Sequence, residues 1–304
     1  MPFHFALPVA ALVAVAGTPT AAAAAQPSSP DWVLEAQILL DRHHHSPGVI
    51  DGRQGSNTRR AVRAFETAEG LPADGMLDAE VMKRLRASSS EPLLTDYRVT
   101  EEDVSKLVEV PDGMEAQAKL DHLGFESAAE ALAEKFHMSQ ALLKRLNLGA
   151  NFAVGESIRV VRPGKDELES KVARIEVDKG RSEVRAFSDN GKLLASYPGT
   201  IGSDRFPSPD GSMEVRAVAP APTYYFDPSG RDWGPDQRLT IAAGPNNPVG
   251  GTWIDLTKDG YGIHGSPDPR LIGKTASHGC VRLTNWDAAE LGGAVKPGTV
   301  VIFT

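Results

Sequence analysis

The chain has 304 residues, 41% hydrophobic and 24% charged, which excludes collagen-like, coiled-coil and wholly disordered architectures. At roughly 100 to 200 residues per domain it predicts about two domains, with room for a third small one. Its 40 Asp plus Glu against 32 Lys plus Arg leave a net charge of -8, a poor basis for holding a phosphate backbone, so nucleic acid is not the expected partner.

Residues 1–25 contain no Asp, Glu, Lys or Arg and run apolar from Phe5 to Ala16 before Gly17-Thr18-Pro19-Thr20 and a run of alanines. This predicts a secretory signal peptide and export. The apolar core is too short for about 30 Å of hydrocarbon and is interrupted by Pro8, so no membrane span is expected there or elsewhere. The single cysteine, Cys280, cannot form an internal disulfide, the usual use of cysteine in exported proteins. It is either a small buried hydrophobe or a reactive thiol.

Residues 31–88 predict three short helices. Asp31 caps the first, with Val33, Ala36 and Leu40; Ala61, Ala64, Phe65 and Ala68 repeat at helical spacing; Asp78 caps the third, with Val81 and Leu85. Ile50-Asp51-Gly52 and Ala73-Asp74-Gly75 are echoing turns that lead into helix starts. The segments Gln37 to Leu40, Ile50 to Gly52, Gly55 to Thr58 and Gly70 to Gly75 together resemble a three-helix peptidoglycan-binding module, with Glu66 where that family usually carries Gln.

Ser88-Ser89-Ser90-Glu91-Pro92 reads as a linker, followed by a small α+β unit over residues 95–163. Ser127 and Glu130 form a capping box before Ala129, Leu132, Ala133 and Phe136; Ser139 caps a second helix with Leu142, Leu143 and Leu146; short strands near residues 97–100 and 157–161 flank them. This β-α-α-β order resembles a LysM glycan-binding unit, apart from an insertion over residues 104–125. A spacer that keeps this fold without the sugar site is the alternative.

Over residues 170–304 the period changes to two, in Ala173, Ile175 and Val177, and Asn190-Gly191 marks a hairpin. Strands are expected at 213–218, 223–226, 252–256, 260–264 and 300–303, with one helix capped by Thr284. The fold class is therefore multidomain: a three-helix bundle, a small α+β unit and a mainly-β domain.

The chemistry lies between His264 and Arg282. Ser277-His278-Gly279-Cys280-Val281-Arg282 places a thiol two residues after one imidazole and sixteen after another, His264. Either could take the thiol proton. Gly279 permits a tight turn whose N–H groups could face an oxyanion. Ile263-His264-Gly265 followed by this segment resembles the signature of the YkuD-type L,D-transpeptidase catalytic domain, as do Pro207-Ser208-Pro209-Asp210-Gly211 and the run from Ala243 to Gly250.

The resemblance implies Cys280 as nucleophile, His264 as general base, the Gly265 carbonyl as its orienting group, and His278, Gly279 and Cys280 as oxyanion N–H donors. Ser277 and Arg282 become substrate contacts, Arg282 with a structural ion pair as alternative. The implied partner is peptidoglycan in the periplasm or cell wall: a tetrapeptide stem as donor and a diamino-acid or protein lysine amine as acceptor. A carbapenem adduct at Cys280 is expected. No metal and no organic cofactor are called for. The alternatives are an L,D-carboxypeptidase or endopeptidase using the same thioester, or a non-catalytic wall-binding protein. His43-His44-His45 is expected to be a solvated helix end, and Tyr224, Tyr225 and Trp253 to pack on the sheet.

Overall fold

Each of the three segments builds an apolar core in the computed structural model, which describes residues 1–2, 30–87 and 89–304. The predicted signal peptide lies, but for its first two residues, outside the described residues. The first core forms between α1 (Pro30–Arg42), α2 (Ser56–Glu69) and α3 (Ala79–Ala87), where Leu39, Leu40, Val62, Phe65, Val81 and Leu85 meet. Asp78 accepts the Val81 N–H at 2.9 Å, as its position before α3 predicts. Asp31, expected to cap the first helix, instead lies within α1. Glu66 is buried and accepts the Gly75 N–H at 2.8 Å; burial pushes its carboxyl up to about 7, so it approaches the neutral Gln of the family pattern.

The middle unit pairs β1 (Leu94–Arg98) antiparallel with a later strand, β2 (Ser157–Val161), around α4 (Glu101–Val104), α5 (Met114–Gln117), α6 (Ala128–Lys135) and α7 (Gln140–Leu146). Ser127 and Ser139 cap the last two helices by accepting the N–H groups of Glu130 and Leu142. The extra helices α4 and α5 belong to the insertion and its approach. Ile38 of α1 and Ile50 complete the core of Leu132, Leu142, Leu143, Ile158 and Val160, so the first two units interlock. The linker is correspondingly held: the Arg42 guanidinium donates to Ser89 Oγ at 2.7 Å, to the Pro92 carbonyl at 2.7 Å and to that of Arg162 at 3.0 Å.

The C-terminal part comprises β3 (Arg174–Asp178), β4 (Glu183–Phe187), β5 (Leu193–Pro198), β6 (Gly211–Pro220), β7 (Tyr224–Phe226), β8 (Leu239–Ile241), β9 (Thr252–Leu256), β10 (Gly262–His264), β11 (Val281–Arg282), α8 (Asn285–Ala294) and β12 (Val300–Phe303). Eight strands form one sheet in the order β11-β10-β9-β6-β12-β3-β4-β5, while β7 and β8 form a separate antiparallel pair. Ile175, Val177, Tyr197, Val215, Ile254, Ile263, Val281 and Leu291 fill its core.

The three units meet in a buried polar junction, and here the expectation of a solvated His43-His44-His45 fails. His45 is 3% exposed with Nδ1 3.1 Å from Ser196 Oγ, and His44, at φ 62°, places Nδ1 2.5 Å from Glu290 of α8. Tyr197 donates to the same carboxylate at 2.7 Å. His137 of the middle unit lies between Asp41 (3.2 Å) and Asp166 (3.1 Å), its ring stacked on Trp286 at 5.0 Å. The histidines end up inside because α1 stops against the catalytic sheet, a contact that no local pattern reports.

Burial alone would lower the His137 pKa, but Asp41 and Asp166 reverse this and raise it to about 10. Its folded value thus exceeds its unfolded value of about 6.5, so its contribution is complete below about pH 6.5 and is lost as pH rises toward 10. His137→Gln should cost about 3 kcal/mol at pH 6 by leaving Asp41 unpaired, a difference that urea unfolding should find shrinking steadily between pH 7 and 10.

Candidate active site

Parallel pairing of β10 with β11 aligns Ile263 with Val281 and His264 with Arg282. Continued one step back, this register sets Cys280 beside Gly262, two residues from His264, and so on the same face of the sheet. The Cys280 thiol lies 3.5 Å from the Gly260 carbonyl. His264 is 3% exposed and donates from Nδ1 to the Gly265 carbonyl at 2.7 Å. Since a carbonyl only accepts, this bond places the proton on Nδ1 and leaves Nε2 as the unprotonated nitrogen of the neutral ring. Trp253 of β9 packs its ring 5.3 Å from that imidazole.

His278 is placed differently. Its side chain is exposed and lies against the rings of Trp233 (4.3 Å) and Phe206 (4.6 Å), away from the sheet. The structure therefore separates the two imidazoles that spacing alone could not: one is locked in the sheet beside the thiol, the other belongs to an aromatic rim.

The turn carrying the cysteine is tightly built. Gly279 has φ 114°, and a Cβ there would lie 3.0 Å from the Tyr261 ring, so both conformation and space demand glycine. Ser277 is a correction to the substrate contact expected of it. It is 3% exposed, its Oγ accepts the Gly279 N–H at 3.1 Å and donates to the Cys280 carbonyl at 2.5 Å, so it braces the turn. Ser208 adds a second brace by donating to the Gly279 carbonyl at 2.6 Å. The loop between His264 and Cys280 is held by the first module, where Asn57 of α2 donates to the Ile272 carbonyl at 2.9 Å and Arg60 to that of Gly273 at 3.2 Å.

Electrostatics around the thiol are positive. Desolvation raises the Cys280 pKa, opposed by the Gly262 backbone and the guanidinium groups of Arg282 and Arg231. Desolvation and then Arg282 lower His264 to about 4, while the Gly265 and Val249 carbonyls favour its charged form. At neutral pH the pair is thus thiol and neutral imidazole. The Nε of Arg282 is buried without a hydrogen-bond partner among the described residues. Arg231, on the loop between β7 and β8, stacks over Trp233 at 4.9 Å. Tyr224 faces the same centre: burial raises its pKa, with Arg231, Cys280 and Arg282 as the charged groups around it. Sequence spacing missed Arg231 and Trp233, because only the folding of the hairpin over the cysteine turn brings them near it, while Tyr224, expected to pack on the sheet, comes to the same centre. Tyr225, in the same strand, is 72% exposed rather than packed into the sheet.

Residues 172–303 match the family model described as the L,D-transpeptidase catalytic domain, and residues 29–85 match that of a peptidoglycan binding domain. The protein named L,D-transpeptidase YkuD of Bacillus subtilis (strain 168) is 30% identical over 173 residues, 56% of this chain and 90% of that one. The chain belongs to the YkuD L,D-transpeptidase family. Its relative of the same name in Bacillus licheniformis is 29% identical over 58% of this chain and 92% of that one. An L,D-transpeptidase structure from Mycobacterium smegmatis superposes with a TM-score of 0.35 at 22% identity, covering 50% of this chain and 64% of that chain, under two thirds of its length. The enzyme is thus an L,D-transpeptidase whose catalytic domain follows a peptidoglycan-binding module.

Because this YkuD-family thiol is raised above its ordinary value, alkylation of Cys280 by iodoacetamide should still accelerate at pH 9, where a preformed thiolate–imidazolium pair would have levelled off near neutrality.

Proposed function

We propose that Cys280 attacks the carbonyl of the third residue of a peptidoglycan tetrapeptide stem. The observation that carries this reading is that His264, its Nδ1 bonded to the Gly265 carbonyl, stands on the same sheet face as Cys280. His264 takes the thiol proton as the carbon–sulfur bond forms and returns it to the departing D-Ala amine, leaving a thioester. The carbonyls of Gly265 and Val249 stabilise the transient imidazolium. The oxyanion is met by N–H groups of the His278–Cys280 turn; that of Gly279 must leave Ser277 to take part. Arg282 and Arg231 suit the carboxylate of the donor stem.

An amine on a neighbouring stem then resolves the thioester into a 3-3 cross-link; a lysine of an outer-membrane protein would instead be tethered to the wall. The first module and the LysM-like middle unit hold the glycan strand, and residues 1–25 direct export, so the enzyme works in the periplasm or cell wall. The ring-opening carbonyl of a carbapenem meets the same thiol.

The chain from Gln26, mixed with disaccharide-tetrapeptide and followed by intact mass spectrometry, should lose D-Ala and yield a cross-linked dimer. Cys280→Ala should do neither and should take up no carbapenem mass. Release of tripeptide alone would make the enzyme a carboxypeptidase, and no change with either protein would remove the transpeptidase reading.

A further inference from the structure

Asn285, the first residue of α8, is 9% exposed and joins three parts of the molecule. Its Nδ2 donates to Glu134 of the middle unit at 2.6 Å and to the Pro245 carbonyl at 3.1 Å, while its Oδ1 accepts the Gly251 N–H at 2.9 Å. A Cβ on either Gly250 or Gly265 would overlap that same oxygen, so the amide lies directly against both backbones. Gly265 is the residue whose carbonyl fixes the His264 tautomer. The middle unit grips this turn at a second point, where Leu123 donates to the Ala243 carbonyl and accepts the Asn246 N–H, both at 3.0 Å.

We propose that Glu134, from outside the catalytic domain, is a positioning residue for the His264 imidazole and acts through the side-chain amide of Asn285. An amide can sit in two orientations related by a half turn, and only the one with Nδ2 toward Glu134 leaves Oδ1 for Gly251. With Glu134 removed, the amide is held only by the Pro245 carbonyl and the Gly251 N–H, and the Gly250 and Gly265 backbones packed on it lose one of the three anchors that keep it in place. The orientation of His264 toward the thiol follows them. This rests on the assignment of His264 as the base.

The geometry also selects the variants. Glu134 is half-buried on the wall of a cleft of about 700 Å³ between the middle unit and the catalytic domain, so truncation opens into existing space. Burial pushes its carboxyl up to about 8, which makes neutral Gln, with the same Oε1 acceptor, a close substitute.

In the full chain from Gln26, Glu134→Ala should lower kcat for donor acylation about tenfold with KM nearly unchanged, equivalent to about 1.4 kcal/mol of lost transition-state stabilisation. Glu134→Gln should stay close to wild type, and Glu134→Asp, whose carboxyl is withdrawn by one methylene, should fall between. Nitrogen NMR of the labelled His264 ring should show one Nδ1–H tautomer in wild type and Glu134→Gln, and a mixture in Glu134→Ala. Wild-type kcat in Glu134→Ala, an effect on KM alone, unchanged ring signals, or equal damage by Ala and Gln would overturn the proposal. Should Glu134→Ala fail to fold, the contrast between Asp and Gln decides. A wild-type chain that transfers no acyl group would instead defeat the transpeptidase reading, and the ring signals would still test the positioning.

Discussion

The parallel pairing of two very short strands, β10 and β11, is the constraint on which the catalytic centre depends. Two residue pairs are little sheet, and a parallel ladder that short would not persist alone. It is kept by what surrounds it: Ile263 and Val281 are fully buried in the main core, Leu283 donates to the His264 carbonyl, and Thr200 exchanges backbone hydrogen bonds with Arg282 on the other side. A one-residue slip would turn His264 to the opposite face from Cys280, so the register alone decides whether imidazole and thiol share a face.

The accessory units bear on that pairing from two directions. The peptidoglycan-binding module supports the loop between the imidazole and the cysteine through Asn57 and Arg60, and the middle unit supports the turn behind the imidazole through Leu123, Glu134 and Asn285. Between them lies the largely buried network of Asp41, His44, His137, Tyr197 and Glu290, closed on its solvent side by the exposed Asp166. Desolvated charges of this kind are costly unless every partner is present, which favours a fully docked arrangement over a loosely tethered one. The peptidoglycan-binding module, the middle unit and the catalytic domain therefore pack together so that both accessory units also bear on the candidate site.

Much of this was legible in the sequence wherever the signal was local. Helix caps at Asp78, Ser127, Ser139 and Thr284 hold because a side chain two or three residues from an N–H needs no distant partner. Strands β2, β9 and β12 follow from alternation and flanking turns. His44 and His45 failed because a polar run after a helix reads as solvent-facing unless one knows that another domain packs there, and His43 because its ring folds back on Phe65 of its own module. Ser277 failed for a related reason: motif membership suggested a face toward substrate, whereas the tight turn at Gly279 turned its hydroxyl inward.

By itself, the sequence determined the order of the units, most of their elements, the unique thiol and the two imidazoles that could serve it, since each is written in short-range periodicity, capping or spacing. Only the tertiary structure decided which imidazole shares a sheet face with Cys280, that Arg231 and Tyr224 stand over it, and that the middle unit reaches Asn285. Those relations join residues far apart in the chain, and they exist only because burial of the three cores brings the loops between them into register.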